Sequence, residues 1–192
     1  MSGRRTIAVL ALQGDFAEHE QSLLAQGAEV REIRQAADLS PSFDGLVIPG
    51  GESTVMGKLL RELSLFAPLK ARLEEGMPVM ATCAGLILLA RRIADDPTLH
   101  FGTLDVTVRR NAYGRQLGSF FTRGSFGAME NVPMSFIRAP SIEEVGAGVE
   151  VLSRFEGRAT AVRQGRQLAM AFHPELLTDG RLHRYFLEEV CR

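Results

Sequence analysis

The sequence predicts an α/β protein of three layers, with a mostly parallel central sheet, helices on both of its faces and an antiparallel extension. Three observations predict this fold. Short apolar runs alternate with helical patterns over residues 6–93, which is the order found in parallel sheets. After residue 97 the predicted strands are shorter, and some alternate apolar and polar side chains as antiparallel strands do. No linker divides the 192 residues, so we expect a single domain over residues 1–192.

The first half of the chain contains alternating strands and helices. Asp15 is placed to cap the first helix and Gly27 to end it, and a break near Ser64 separates the second helix from the third. The predicted elements, in chain order, are strand 6–12, helix 16–26, strands 28–33 and 44–48, helices 55–63 and 65–75, strand 77–82 and helix 84–93.

The second half is predicted to extend the sheet with antiparallel strands. Residues 149–155 and 158–163 flank Glu156 and Gly157 and are typical of a hairpin. The polar, glycine-rich segment 111–131 has little periodicity and predicts no regular element. The other predicted elements are strands 104–108, 136–138 and 168–172 and a closing helix at 179–190.

The composition excludes several classes of protein. Hydrophobic residues make up 45% and charged residues 23%, as in ordinary globular proteins, and the net charge of −1 gives no general attraction to nucleic acid or anionic membranes. No apolar run approaches the roughly 20 residues that cross a bilayer, and the first residues lack a signal-peptide pattern. Cys83 and Cys191 do not make a disulfide framework. We therefore expect a cytoplasmic protein with no metal site and no cofactor.

Cys83 follows a predicted buried strand and precedes a predicted helix, which is the layout of a nucleophile elbow. In such an elbow the side chain lies at a sharp turn, and the amino end of the helix favours the thiolate. A buried structural cysteine is the other interpretation, since free cysteines are among the most buried residues. The elbow pattern alone does not decide between them.

His173 and Glu175 flank a proline and are predicted to share one face of an extended segment. On that face the Glu175 carboxylate can hold one imidazole nitrogen of His173 and leave the other free for a nucleophile. By itself the pattern is more typical of a surface loop. With an elbow cysteine about 90 residues upstream, it predicts a catalytic triad of Cys83, His173 and Glu175.

Two glycines, Gly50 and Gly51, stand between a predicted strand and a predicted helix. Glycines at such a position allow a tight turn whose backbone amides face a ligand. We expect the amide of Gly51 and the amide of Ala84, which follows the cysteine, to form an oxyanion site. A simple strand-to-helix turn is the alternative.

The motifs of this chain resemble those of the class I (triad) glutamine amidotransferases, which share a flavodoxin-like α/β fold. In particular, they resemble the glutaminase subunit of pyridoxal 5'-phosphate synthase. They run over nearly the whole chain in the order of that family. The motifs are QG at 13–14, EH at 18–19, PGGEST at 49–54, TCAGL at 82–86, RNAYGRQ at 110–116, FIRAP at 136–140 and FHPE at 172–175.

The resemblance implies that the triad hydrolyses L-glutamine. Cys83 would attack the side-chain amide, His173 would move the proton between thiol and departing ammonia, and Glu175 would orient His173. Water would then hydrolyse the glutamyl thioester to glutamate. The positions that match the family's glutamine-binding residues are Gly51, Glu52, Ser53, Arg110, Ile137 and Arg138. An arginine suits the substrate α-carboxylate, and Ile137 would contribute its backbone.

The resemblance also implies a partner. The ammonia would pass to a barrel-shaped synthase subunit of a hetero-oligomeric complex, which combines it with a pentose phosphate and a triose phosphate to make pyridoxal 5'-phosphate. Docking would complete the oxyanion site, and Gln13 and Gly14 are either part of the docking surface or an ordinary turn. Two other hypotheses are a glutaminase of another pathway, such as imidazole glycerol phosphate synthesis, and a non-catalytic regulatory relative.

Two stretches depart from the family pattern. Ala81 stands where relatives often have glycine, and residues 120–125, expected in a peripheral loop, lack the acidic residues typical of the family. We expect no catalytic role for His100, His183 or Cys191 and a surface or interface role for His19. These three histidines and the second cysteine are thus predicted to lie outside the chemistry.

Overall fold

The computed structural model describes residues 4–112 and 118–192, so residues 113–116 of the motif at 110–116 lie outside the described residues. The strands are β1 (Thr6–Leu10), β2 (Glu29–Ile33), β3 (Gly45–Ile48), β4 (Val79–Thr82), β5 (Ala90–Ile93), β6 (Leu104–Arg109), β7 (Ser119–Phe126), β8 (Met129–Ile137), β9 (Ser141–Val145), β10 (Glu150–Phe155), β11 (Arg158–Gln164) and β12 (Gln167–Met170). The helices are α1 (Phe16–Ala25), α2 (Ser53–Glu62), α3 (Phe66–Glu74), α4 (Ala84–Leu89) and α5 (Arg181–Tyr185). Short 3₁₀-helices lie at Ala36–Leu39 and Pro174–Leu176, and a π-helical turn at Phe186–Val190 continues α5.

The main sheet has ten strands among the described residues, and its parallel part is the order β2-β1-β3-β4-β12. Every pair within that part is parallel. The sheet continues through β11, β9, β6 and β5, with β10 on β11, and most of these pairs are antiparallel. Strands β7 and β8 form a separate antiparallel ribbon. The predicted mostly parallel sheet with an antiparallel extension is thus confirmed.

The parallel strands consist of apolar residues because both faces of this part of the sheet are covered. Strands β3 and β4 are buried at every position, and four of the five residues of β1 are buried. The hydrophobic core runs from these strands through the helices to the antiparallel extension. Among the described residues, no helix is long and apolar enough to span a bilayer.

The order of the strands places a ligand site at the carboxyl ends of β1 and β3. The chain steps from β1 to β2 in one direction across the sheet and from β3 to β4 in the other. Right-handed crossovers then put α1 on one face and α2 with α3 on the opposite face. Ligands of open α/β sheets bind where the direction reverses, outside the carboxyl ends of the strands.

The structure corrects three element predictions. The segment 173–175, predicted to be extended, turns directly after His173 into the 3₁₀-helix Pro174–Leu176. The helix predicted at 84–93 ends at Leu89, and Ala90–Ile93 pairs as β5 with β6. The sequence has no glycine or proline between Leu89 and Ile93 to end the helix, so only the partner strand decides where it stops. The segment 111–131, predicted without regular structure, contains β7 and the start of β8. Residues 120–125 therefore lie in a strand of the ribbon and not in a loop. The hairpin of β10 and β11 around Glu156 and Gly157 is confirmed.

Candidate active site

Cys83 lies between β4 and α4 at a strained turn of the backbone. Its φ of 46° and ψ of −102° are outside the regions that residues with a side chain ordinarily adopt. The Cys83 amide donates to the Met170 carbonyl at 2.9 Å, and the Ile87 amide donates to the Cys83 carbonyl at 3.3 Å. The turn is thus fixed from the strand side and from the helix side. This is the elbow geometry that the sequence predicts.

Gly85 lets α4 approach the end of β3. A Cβ at position 85 would lie 2.3 Å from the Ile48 carbonyl oxygen and 3.1 Å from the Ala81 Cβ. The Ala81 methyl, one of the departures from the family pattern, is fully buried in β4 and does not require a positive φ. The elbow therefore accommodates alanine at position 81.

His173 and Glu175 are held together behind the cysteine. The His173 Nδ1 lies 2.7 Å from Glu175 Oε1, and both side chains are buried. The His173 amide donates to the Ser135 carbonyl at 2.8 Å, which anchors the segment to β8. Because Nδ1 carries the hydrogen that Glu175 accepts, Nε2 is left to act on a nucleophile.

The electrostatics of this pair favour a protonated imidazole. Burial alone would lower the pKa of His173, but hydrogen bonding to Asp15, Cys83 and Glu175 outweighs burial and raises that pKa. Burial raises the pKa of Glu175, and the hydrogen bond from His173 opposes the change. Imidazole is the stronger base of the two, so the proton that they share resides on His173.

The glycine-rich turn after β3 forms one wall of the site. A Cβ at Gly50 would lie 2.4 Å from His173 Cε1, so only glycine leaves room for the imidazole. Gly51 has a φ of 149°, which suits glycine, and the amide of the next residue, Glu52, donates to Gln13 Oε1 at 2.7 Å. The Glu52 carboxylate caps α2 by accepting from the amides of Thr54 and Val55. The turn is thus bonded both to its own helix and to the loop after β1.

Two arginines approach the same site, Arg110 from the antiparallel extension of the sheet and Arg138 from the β7–β8 ribbon. Arg110, directly after β6, forms an ion pair with Asp96, and its Nη1 lies 3.3 Å from Thr54 Oγ1. Arg138 follows β8 and has a φ of 42°. Both arginines line the cleft that contains Cys83. A substrate with a carboxylate group suits this charge.

A cleft of about 360 Å³ brings the predicted residues together. Its lining includes Cys83, His173 and all six predicted glutamine-binding residues. Glu175 lies behind His173, and Ala84 is buried at the start of α4. Among the described residues, the lining consists of Gln13, Gly14, Asp15, Gly51, Glu52, Ser53, Cys83, Ile87, Arg110, Asn111, Ile137, Arg138 and His173.

A buried polar chain behind the cleft was not predicted from the sequence. The expected surface or interface role of His19 is wrong, because His19 has no exposed surface. Its Nε2 lies 3.0 Å from Thr82 Oγ1 and 3.4 Å from Glu175 Oε2, and its Nδ1 lies 3.0 Å from His183 Nε2. Burial lowers the pKa of both His19 and His183, so both are neutral. The helical spacing of Asp15 and His19, at i and i+4 after a strand end, is the signal that could have indicated this role.

The arrangement has the parts that acyl transfer from an amide requires. The Cys83 thiol hydrogen-bonds to His173, and the Glu175 carboxylate holds His173 from the other side, as nucleophile, base and orienting acid are arranged in such sites. The fold and this cleft define a cysteine hydrolase of the triad amidotransferase class.

Comparison with known proteins identifies the family. The SNO glutamine amidotransferase family matches residues 9–192, and the chain belongs to that family. The chain is 53% identical to the pyridoxal 5'-phosphate synthase subunit PdxT of Desulfitobacterium hafniense (strain Y51), over 96% of this chain and 92% of that protein. It is 52% identical to the PdxT of Methanocorpusculum labreanum, over 96% of this chain and 97% of that protein.

A solved structure described as a glutamine amidotransferase is also similar. It has a TM-score of 0.90 and 46% sequence identity, and the match covers 95% of this chain and 97% of that one. The chain is thus an enzyme of the glutamine amidotransferase class. The comparison confirms the family resemblance seen in the motifs.

Proposed function

We propose that this chain is the glutaminase subunit of a pyridoxal 5'-phosphate synthase and that Cys83, His173 and Glu175 carry its reaction. The observation that carries the proposal is the strained elbow of Cys83 beside the His173–Glu175 pair, at the floor of a cleft with two arginines. The names of the relatives support the choice of synthase.

The reaction begins when the Cys83 sulfur attacks the side-chain carbonyl carbon of glutamine. The thiol proton already resides on His173, whose raised pKa favours the imidazolium, and a carbon–sulfur bond forms in a tetrahedral intermediate. The carbon–nitrogen bond then breaks, and His173 returns the proton to the leaving ammonia. Water, deprotonated by His173, attacks the thioester carbon and releases glutamate, and the thiol regains its proton. Glu175 keeps His173 in the tautomer that each step needs.

The oxyanion of each tetrahedral intermediate lies next to Cys83. The Ala84 amide at the start of α4 is one donor, and the Gly51 amide in the turn is the other. The Glu52 amide is not available to the substrate, because Gln13 Oε1 accepts from it at 2.7 Å. Gln13 therefore stabilises the turn through this hydrogen bond.

The glutamine backbone binds at the polar end of the cleft. Arg110 and Arg138 attract its α-carboxylate, while Glu52, Ser53 and the Ile137 backbone provide the remaining polar contacts. The Glu52 carboxylate is ionised: burial raises its pKa, but the amides of Val55 and Thr54 outweigh that and lower it. The substrate ammonium is therefore attracted to this side of the cleft.

The ammonia passes to a barrel-shaped synthase subunit, which uses it to build the pyridine ring. Gln13 and Gly14 line the open side of the cleft, where a docked partner would contact the oxyanion turn. A cytoplasmic location belongs to the same proposal, since an unmodified thiol nucleophile favours a reducing compartment.

The test is glutamate release from glutamine, measured with and without the cognate synthase subunit. We expect partner-dependent activity in the wild type and a loss of at least 1,000-fold in Cys83→Ala. Cys191→Ala is the matched control, because Cys191 is the other buried free cysteine and lies outside the cleft lining. A wild type that releases no glutamate with its partner would refute the proposed function. Equal activity in the two cysteine variants would refute the assigned nucleophile.

A further inference from the structure

The base of the triad contacts a second carboxylate besides Glu175. Asp15 Oδ2 lies 3.3 Å from His173 Nδ1, the same nitrogen that lies 2.7 Å from Glu175 Oε1. A single N–H donates one strong hydrogen bond, and the shorter distance assigns it to Glu175. Asp15 is then a negative charge beside the imidazole rather than its principal hydrogen-bond acceptor.

The position of Asp15 in the chain does not explain this contact. Asp15 is the N-cap residue of α1, where aspartate ordinarily accepts a hydrogen bond from an amide of the first turn. Its side chain makes no such capping bond. The carboxylate instead lines the cleft with His173, so the helix forgoes a cap of about 1 kcal/mol.

The backbone around Asp15 fixes it in that place. The Asp15 amide donates to the Gly50 carbonyl at 3.4 Å. Gly14 makes this approach possible, because a Cβ there would lie 1.7 Å from the same carbonyl oxygen. A Cβ at Gly50 would also lie 3.1 Å from Asp15 Oδ2, so the glycine turn leaves space for the carboxylate as well as for the imidazole.

The charge on Asp15 is complementary to a protonated His173. The hydrogen bond with His173 lowers the pKa of Asp15, while burial opposes that change, so the carboxylate is ionised at neutral pH. Glu175 has no exposed side-chain surface, whereas the Asp15 side chain is 36% exposed. The two anions therefore differ in role: Glu175 sets the tautomer, and Asp15 adds charge from the open side of the cleft.

A metal ion does not account for the cluster of Asp15, His173 and Glu175, although their ligand atoms lie within 4.8 Å of one another. Two ligands of one tetrahedral zinc ion lie about 3.3 Å apart, as bond lengths near 2 Å require. The 2.7 Å between His173 and Glu175 is instead a hydrogen-bond distance.

We propose that Asp15 is a positioning residue for the reaction: its carboxylate is a second anion on His173 and holds the protonated imidazole beside the Cys83 thiolate. This role rests on the proposed Cys83–His173 chemistry. In the first step, when the thiol proton has moved to His173, Asp15 stabilises the resulting cation. In the next step, the held imidazolium is the acid that protonates the leaving ammonia.

The test measures the titration of His173 directly. The protein is labelled with ¹⁵N-histidine, the ring resonances are followed by NMR over pH, and His173→Asn assigns the signal among the four histidines. We expect Asp15→Asn to move the titration midpoint of His173 down by about one pH unit or more, since a carboxylate this close has an effect of that size. Asp15→Glu, which restores a charge, should recover part of the shift.

The matched control is Glu18→Gln, which removes a carboxylate from the first turn of the same helix but outside the cleft lining. Asp15→Asn and Glu18→Gln each lose one negative charge near the start of α1. A difference between their His173 titration midpoints is therefore due to the contact of Asp15 with His173. Unchanged resonances of His19 and His183 show that Asp15→Asn is folded. With the synthase subunit present, the alkaline limb of the pH profile of kcat/KM should move to lower pH in Asp15→Asn, while KM stays nearly constant.

Two results would overturn the proposal. A His173 midpoint that is the same in Asp15→Asn and Glu18→Gln would show that Asp15 does not act on the imidazole. A raised KM with an unmoved alkaline limb would show that Asp15 binds the substrate ammonium instead. The NMR titration does not depend on turnover. If the protein had no glutaminase activity, the proposed function would be refuted, but the effect of Asp15 on His173 could still be measured.

Discussion

The imidazole of His19 lies 3.4 Å from the carboxylate of Glu175, Nε2 to Oε2, and neither side chain is exposed to solvent. A carboxylate oxygen at this distance favours a hydrogen on Nε2 over a lone pair. The Nδ1 of His19 then accepts from the Nε2–H of His183, 3.0 Å away. In this tautomer the unpartnered Nδ1 of His183 is an acceptor rather than a buried donor. The Nε2 hydrogen of His19 bonds to Thr82 Oγ1 at 3.0 Å and lies close behind the triad, where Glu175 Oε2 makes no hydrogen bond within the described residues.

We predict that His19→Asn impairs both stability and turnover. The variant leaves Thr82, His183 and Glu175 without their shared partner, and unmade buried hydrogen bonds destabilise by about 1–3 kcal/mol. Because Glu175 loses the N–H behind it, kcat should also fall by about 10-fold or more. Urea denaturation and partner-stimulated glutamate release measure the two effects.

His183→Asn is the matched control for that variant. His183 is equally buried and bonds to the side of His19 that faces away from Glu175, so its replacement should lower stability and leave kcat within about threefold. Equal losses of kcat in both variants would contradict a specific role of the His19–Glu175 contact. They would indicate general loosening of the fold instead.

We also predict that the protein loses stability in mild acid. Burial lowers the pKa of His183 from 6.5 to about 4, and burial with neighbouring charge lowers that of His19 well below 6.5. Between the lowered pKa of the folded protein and the ordinary pKa of 6.5, the unfolded chain binds protons that the folded chain does not. The free energy of unfolding therefore falls as pH drops below 6.5. One histidine of this kind contributes a loss of about 2 kcal/mol at pH 5.

The measurement is urea denaturation at several values of pH between 7 and 5. His183→Asn removes one of the buried histidines with a lowered pKa, so its stability should depend less steeply on pH than that of the wild type. His173 has the opposite sign: its raised pKa stabilises the folded state below 6.5, and this contribution is lost as pH rises through the folded value. Parallel curves for wild type and His183→Asn would contradict the assignment of a neutral, buried His183.

The sequence predicted the parts of this molecule that depend on local pattern. The elbow at Cys83, the His173–Glu175 pair and the parallel strands all follow from residues close in the chain. It failed where long-range pairing decides, as at Ala90–Ile93, which is a strand only because β6 lies beside it. The difference is physical, because Ala90–Ile93 carries no local signal that ends the helix and becomes extended through its pairing with β6.

The same limit explains why the sequence predicted a surface or interface role for His19. His19 reaches both Thr82 and Glu175, which come from distant segments that meet at one sheet edge. The i, i+4 spacing from Asp15 is a local signal, but it does not show which distant residues surround His19. The EH motif at 18–19 marked the residue as part of the family pattern, but only the assembled fold shows that it is buried.

Gly50 provides a steric test of the site. A Cβ at this position would lie 2.4 Å from His173 Cε1 and 3.0 Å from Nδ1, so Gly50→Ala must displace the imidazole. Gly50 has no positive φ, and the backbone itself tolerates alanine. We therefore predict at least a 100-fold loss of kcat, since a shift of about 1 Å in a catalytic group has an effect of that size.

The control for Gly50→Ala is Gly148→Ala, at a surface glycine where an added Cβ meets nothing within 4 Å and φ is not positive. That variant should keep the activity of the wild type. Thermal denaturation of both variants separates displacement of His173 from unfolding. Wild-type turnover in Gly50→Ala would contradict the placement of His173 against the turn.

Arg110 and Arg109 are adjacent in the chain but differ in what they contact. Arg110 lines the cleft, where it reaches Asp96 and Thr54, whereas Arg109 pairs with Asp95 and Glu143 outside the cleft lining. We predict that Arg110→Ala raises the KM for glutamine by about 10- to 100-fold, because a charged hydrogen bond to the substrate carboxylate contributes about 1.5–3 kcal/mol.

The expected change in Arg110→Ala is confined to substrate binding, because the triad does not contact this arginine. The kcat at saturating glutamine should therefore stay within a few-fold of the wild type. Arg109→Ala removes the same charge one residue earlier and should leave KM unchanged, so it excludes a general effect of net charge. An unchanged KM in Arg110→Ala would remove Arg110 from the site and leave Arg138 as the cation that binds the carboxylate. Steady-state kinetics of both variants with the synthase subunit present distinguish these outcomes.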